Sequence, residues 1–269
     1  MENIPVPVAS FHNEEDHPMR DPLFLSETIR RQVSAESTLD KTPSIDMIDL
    51  ISNMTRIADR PLDPIGEAIQ EAESAACVVY VRPSDPSARV QWTGSGFLIP
   101  GGLVVSANHV VEPNGADSEP VLVSVSFDGE TSYAAEMMGG DRDFDVAILK
   151  IDPRVPIRPV RLSDEAPSPG EIIATIGSPE GWANVVTVGR VSATGMTPAV
   201  PPDPSWTDMM FIDADILEGS SGSMVIDVMG RVVGSVMGII GRHAAESGVG
   251  QNAVVTVDKI KRVIQSILP

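Results

Sequence analysis

Asp213-Ala214-Asp215-Ile216-Leu217-Glu218-Gly219-Ser220-Ser221-Gly222-Ser223 is the stretch whose reading decides the fold. It sets a serine in a tight Gly-x-Ser-Gly turn. Two serines compete for that place, and the glycine that follows selects Ser221 over Ser220. Two segments upstream match it. Ser106-Ala107-Asn108-His109-Val110-Val111 offers His109 just after an apolar strand. Asp143-Phe144-Asp145-Val146-Ala147-Ile148-Leu149-Lys150 offers an aspartate at the mouth of another strand. Asp141 and Asp143 lie close by, but the Val-Ala-Ile-Leu run singles out Asp145.

These three residue types in this order point to one chemistry. A serine hydroxyl is a weak nucleophile at neutral pH and needs a base within hydrogen-bond reach. Imidazole titrates in the useful range. A carboxylate behind it would hold the ring's tautomer and stabilise the imidazolium. The backbone N–H groups of Gly219 and Ser221, with Ser220 lending its peptide to the turn, would form an oxyanion hole. The order His, Asp, Ser is that of the chymotrypsin arrangement, not of subtilisin or the α/β-hydrolases.

The surrounding sequence has the grammar of a β protein. From residue 76 onward short β-rich runs alternate with Gly, Pro, Asp and Asn turns: 78–81, 95–99, 103–106, 121–127 and 146–149, then 172–176, 185–188, 210–212, 224–226, 232–237 and 253–256. Ile260, Val263, Ile264 and Ile267 recur at helical spacing and predict a closing helix over 257–268. The expected architecture is mainly β: two small antiparallel barrels, about 70–155 and 165–256, joined through Pro153 to Pro169 and closed by that helix. Residues 1–69 read as an N-terminal arm. Its first 43 residues are polar, acidic and dotted with proline, and residues 44–58 carry helical spacing behind Ser44. A second short helix is expected over 65–72.

The ordered motifs resemble the protease domain of the HtrA (Deg) family of chymotrypsin-like serine proteases. They are Gly94-Ser95-Gly96-Phe97-Leu98-Ile99, Asn108-His109-Val110-Val111, Asp145-Val146-Ala147-Ile148-Leu149-Lys150-Ile151, Ile176-Gly177-Ser178-Pro179-Glu180-Gly181, Val188-Gly189-Arg190-Val191-Ser192-Ala193, the Ser221 turn and Gly234-Ser235-Val236. The resemblance covers about residues 70–268 and implies an endopeptidase that cleaves proteins or peptides through an acyl-enzyme. His109, Asp145 and Ser221 would be catalytic, with Gly219, Ser220 and Ser221 at the oxyanion hole. The chain departs from the family at three places. Ser220 stands where Asn is usual, Ser223 where a second Gly is usual, and Glu218 where Pro is common. No PDZ domain is expected after the closing helix.

The resemblance also implies a substrate pocket formed by Asp215, Glu218, Met237, Gly238 and Ile239. Asp215 lies six residues before Ser221, a place near the pocket floor in the chymotrypsin fold. An acid there would favour Lys or Arg before the scissile bond, whereas the family prefers small aliphatic side chains. Met237-Gly238-Ile239 would form the edge that pairs with the substrate backbone, with Ile239 narrowing the entrance.

Composition excludes other classes. Lys and Arg number 19 against 38 Asp and Glu, so the net charge of −19 repels nucleic acid and anionic membranes. No apolar run reaches a membrane span. His12, His17 and His243 show no metal-ligand spacing, and no phosphate loop or nucleotide fingerprint occurs, so no metal or cofactor is expected. The single cysteine, Cys77, lies in an apolar strand pattern and permits no internal disulfide. With no leader-like N-terminus, the expected location is cytoplasmic or virion-associated. A second reading makes the fold a latent or non-catalytic module, for example in a virus particle. Residues 1–69 would then serve as a docking arm or oligomer contact. The resemblance also implies that the Pro-rich stretch Thr197 to Pro204 lies where the family places regulatory loops, whose ordering could gate the oxyanion hole.

Overall fold

The computed structural model describes residues 63–84, 92–112, 121–197, 207–240 and 251–268. The helix expected at 44–58, the arm at 1–43 and most of the 197–204 stretch lie outside the described residues. The chain divides into units of residues 1–60 and 61–269, and every described residue belongs to the second.

That unit opens with helix α1 (Pro64–Ala72). Asp63 caps it, its Oδ1 accepting from the Gly66 N–H at 2.9 Å, and Pro64 supplies a φ already suited to a first turn. Ile65, Ala68 and Ala72 share one face and are buried in the core.

Six strands follow: β1 (Ala76–Pro83), β2 (Trp92–Ile99), β3 (Leu103–Ser106), β4 (Val121–Ser126), β5 (Tyr133–Asp141) and β6 (Val146–Lys150). They pair antiparallel in the order β1-β2-β3-β6-β5-β4, and β4 returns to β1, so the sheet closes into a barrel. A one-turn helix, α2 (Asn108–Val111), follows β3. The two-residue strand β7 (Arg161–Leu162) then leads to β8 (Ile172–Gly177), β9 (Val185–Met196), β10 (Met209–Ile212), β11 (Met224–Ile226), β12 (Arg231–Ile240) and β13 (Gln251–Thr256). Their order is β11-β8-β9-β10-β13-β12, and β11 also pairs with β12, which closes a second barrel. β7 adds to β12 in parallel. Helix α3 (Val257–Ile267) ends the fold and packs on β5 and β6 of the first barrel as well as on β12 and β13.

The strand runs of the sequence become strands, with two additions. β5 is legible only in the fold. Its Tyr-Ala-Ala-Glu-Met-Met-Gly-Gly-Asp has no β-branched residue, but both of its edges are paired, to β4 and β6, and alternate residues are half-buried. β7 is too short to carry a pattern. β6, by contrast, is buried on both faces from Val146 to Leu149, one face lining the barrel and the other lying under α3. Burial of Val146, Ile148 and Leu149 contributes roughly 1.5–3 kcal/mol each.

Candidate active site

The turn before β6 carries Asp145 in a left-handed conformation, φ 54. An aspartate tolerates this region better than most residues but still carries strain there. Three hydrogen bonds hold it. The Phe144 N–H donates to Asp141 Oδ1 at 2.9 Å, the Asp145 N–H to the Arg142 carbonyl at 3.3 Å, and the Asn108 N–H to the Asp145 carbonyl at 3.2 Å. Asp145, 7 % exposed, then receives His109 twice on its carboxylate. The His109 N–H donates to Oδ1 at 2.9 Å, and Nδ1 lies 2.7 Å from Oδ2. That pairing fixes Nδ1 as the protonated nitrogen and leaves Nε2 as the acceptor facing away from Asp145. The hydrogen bond raises His109 above its usual pKa, burial opposes this, and the aspartate's charge adds to the rise.

Ser221 comes from the second barrel. Two glycines at positive φ make its turn, Gly219 at 84 and Gly222 at 90. At Gly222 no larger residue fits, because a Cβ would lie 2.1 Å from the Ser95 carbonyl oxygen. The Ser221 hydroxyl donates to the Met237 carbonyl at 3.2 Å, and His109 is not among its hydrogen-bond partners. A hydrogen bond between Ser221 Oγ and His109 therefore requires a turn of the Ser221 side chain.

The Gly219 peptide is held in a definite orientation. The Glu218 carbonyl accepts from the Glu180 N–H at 3.1 Å. A trans peptide directs its N–H opposite to its C=O, so the Gly219 N–H points away from Glu180. Among the described residues neither Gly219 N–H nor Ser221 N–H donates to a protein acceptor. Two uncommitted donors flanking a nucleophile are what a developing oxyanion requires.

Sequence reasoning left Ser95 out of the site, yet it braces the turn. Its Oγ donates to the Gly219 carbonyl at 2.8 Å and accepts from the Ser178 N–H at 2.8 Å. Its own N–H donates to the Ser221 carbonyl at 2.8 Å. The available signal was a serine between two glycines in an apolar strand, since a buried hydroxyl needs partners. Ser220 is buried as well. Its Oγ accepts from the Leu217 N–H at 3.2 Å, closing the turn from within. Ser223, 2 % exposed, finds its space at Gly177, where a Cβ would lie 1.7 Å from Ser223 Oγ.

The expected pocket residues are dispersed in character. Asp215 and Glu218 are exposed, Met237 is buried and Gly238 half-buried; the Ile239 side chain lies outside the description. The Asp215 carbonyl accepts from Thr187 Oγ1 at 2.8 Å, while its carboxylate has no hydrogen bond or ion pair among the described residues. Past Val236, the edge of β12 away from β13 has no strand partner among the described residues. Among the same residues no group of three or more His, Cys, Asp or Glu is gathered as metal ligands would be. No helix there is long and apolar enough to cross a membrane.

Residues 94–234 match the trypsin-like peptidase domain. A probable periplasmic serine endoprotease DegP-like from Marinomonas sp. is 35% identical over 175 residues, covering 62% of this chain and 35% of that protein. The putative serine protease HhoB of Synechocystis sp. is 36% identical over 156 residues, covering 56% and 36%. The chain thus spans about a third of the length of these curated relatives. Among solved structures, the HtrA-type protease AlgW with tripeptide superposes with a TM-score of 0.63 at 26% identity, covering 76% of this chain and 63% of that one. The serine endoprotease from Yersinia pestis gives 0.61 at 23%, covering 78% and 68%, a likeness of fold.

These relatives correct one expectation. Several are named as periplasmic, which overturns the cytoplasmic or virion-associated location inferred from the sequence. Cys77 is no guide to compartment: it is fully buried and burial pushes its thiol far up, so it is inert under oxidising and reducing conditions alike.

Proposed function

Because the chain belongs to the trypsin-like peptidase domain family, by its match over residues 94–234, we propose that it is a serine endopeptidase cleaving protein substrates through an acyl-enzyme. The observation that carries the reading is the paired contact of His109 with Asp145, made by both Nδ1 and the backbone N–H, across from a serine turn with two uncommitted N–H donors.

In this reading Ser221 Oγ leaves the Met237 carbonyl, passes its proton to His109 Nε2 and attacks the scissile carbonyl. Asp145 stabilises the imidazolium that forms. The Gly219 and Ser221 N–H groups receive the oxyanion, and one such donor is typically worth about 3–4 kcal/mol. His109 then returns the proton to the leaving amine, and water completes the cycle by the same steps. The substrate backbone adds to the unpaired edge of β12 at Met237-Gly238, a mode that draws affinity from main-chain hydrogen bonds and specificity from pockets.

The finer part of the proposal concerns specificity. The unpartnered Asp215 carboxylate, with exposed Glu180 and Glu218 nearby in the chain's turns, favours a Lys or Arg side chain before the scissile bond. A secreted or periplasmic location accords with the relatives' names. Of the arm expected over residues 1–69, residues 64–69 belong to α1, whose Ile65 and Ala68 lie in the core; the residues before it are proposed as a docking or oligomer-forming arm.

Two experiments test this. Digestion of an unfolded protein should proceed with the wild type and stop in Ser221→Ala. Mapping the cut sites then reads the preference: cuts after Lys and Arg support the role of Asp215, and cuts confined to Val and Ala refute it.

A further inference from the structure

Helix α3 buries Val257, Ile260 and Val263, as an amphipathic helix should, but it also buries Lys259, which is 4 % exposed. Nothing in the helix calls for a cation there. The residue sits in the first turn, where the helix dipole disfavours positive charge. No carboxylate lies within ion-pairing distance among the described residues. A buried ammonium without a counter-ion costs stability. Burial pushes its pKa down; the charge of Asp208 pulls it up and that of Arg262 pushes it down further.

What Lys259 does touch is informative. Its Nζ donates to the Thr207 carbonyl and lies 3.8 Å from Met209 Sδ, at the entry to β10. The same ammonium stands over the Phe144 ring, 5.4 Å from its centroid. Such a contact is attractive, more so when desolvated. Phe144 precedes Asp145 directly and is part of the strained turn that presents the carboxylate to His109.

We propose that Lys259 is a positioning residue for Asp145, clamping Phe144 to α3 and to the start of β10 so that the carboxylate keeps its two-point grip on His109. The proposal rests on the peptidase reading for its catalytic consequence, while the geometry it asserts is independent of that reading. The stability cost of a buried cation is offset by holding a left-handed aspartate in register with an imidazole carried by another element. Neighbouring bonds support this division of labour. The Asp141 cap and the Asn108 contact fix the backbone of the turn, and Phe144 is its one bulky side chain half-buried against the body of the protein.

The test compares Lys259→Met, Lys259→Arg and Phe144→Leu by three readouts. These are kcat and KM on an unfolded protein substrate, the melting temperature, and the low-field NMR resonance of the His109 Nδ1 proton. Lys259→Met should lower kcat by about tenfold to a hundredfold with KM little changed, the penalty of a slightly misplaced catalytic group. Its melting temperature should hold or rise, and the Nδ1 resonance should broaden or shift upfield. Lys259→Arg, which keeps the cation, should recover most of both signals. Phe144→Leu should reproduce the loss of Lys259→Met, with little further loss in the double variant, and it carries the test if Lys259→Met does not fold. An unchanged Nδ1 resonance and kcat in Lys259→Met overturn the proposal, as does a loss of kcat that simply tracks a lowered melting temperature. If the wild type cleaves nothing, the peptidase reading fails by itself. The Nδ1 resonance then still decides whether Lys259 positions Asp145.

Discussion

At the scale of single residues, the pairing of His109 with Asp145 sets a pH window. The base must be neutral to accept a proton, so the rate of reaction at Ser221 should climb as pH rises through a His109 pKa that the Asp145 hydrogen bond holds above the ordinary histidine range. The same pairing stabilises the fold in the opposite sense. A histidine whose folded pKa is raised contributes fully below its unfolded value and progressively less as pH climbs through the folded one. Asp145→Asn should move the kinetic midpoint downward and cost about 10^4-fold in rate, through loss of the tautomer that leaves Nε2 free. Rate–pH profiles of the two proteins check both points.

Ser223 offers a second prediction at this scale. Its side chain fills the space that Gly177 leaves open, so Gly177→Ala should destabilise by about 1–3 kcal/mol through overpacking. Ser223→Gly, innocuous alone, should restore most of that loss in the double variant. Denaturant melts of the four proteins complete the cycle, and additive losses would contradict the account. The sequence announced Ser223 as a departure from the family pattern. The glycine that accommodates it stands far off in the chain, in the Ile176-Gly177-Ser178 motif, and nothing local links the two.

At the scale of elements, the site is assembled by hydrogen bonds between strands of different barrels. Ser95 of β2 reaches the Gly219 carbonyl and the Ser178 N–H across the barrel boundary. Ser95→Ala would leave the buried Ser178 N–H without a partner, at a cost of about 1–3 kcal/mol, and would release the half-buried Gly219 carbonyl as well. Its effect on kcat should exceed its effect on KM, since Ser95 holds the Gly219–Ser220 peptide, next in the chain to the Glu218–Gly219 peptide whose N–H would receive the oxyanion. An unchanged kcat would show that the Glu180 contact alone orients the Gly219 N–H. Element by element, legibility followed how local the cause was. β3 and β6 showed themselves as apolar runs and α3 by its spacing. α1 was expected over 65–72, just after Pro61 and Pro64, and its Asp-Pro cap sits just upstream. β5 stayed hidden because its strand character comes from its two neighbours. The three residues expected to be catalytic stood out in the sequence because each sits in a contiguous motif. Ser95 and Lys259 were not, because their roles exist only where distant segments meet.

At the scale of the molecule, His109 and Asp145 belong to the first barrel and Ser221 to the second, so the site exists only while both are docked. The molecule also carries a net charge of −19, with Asp215, Glu218 and Glu180 exposed in segments flanking the Ser221 turn. Attraction of this kind is screened over a Debye length. Cleavage of a lysine-rich unfolded substrate should therefore slow as salt is raised, chiefly through KM, while a neutral peptide is little affected. Equal salt dependence for the two would remove charge from the account of substrate capture.

The central claim is that Ser221 is an activated nucleophile. Reaction of the folded protein with a fluorophosphonate probe, read by intact mass and peptide mapping beside Ser221→Ala, tests it most directly. The account predicts one adduct per chain, located on Ser221, absent from the variant and slowed in Asp145→Asn. A well-folded protein that takes up no probe, or takes it up equally in Ser221→Ala, would contradict it.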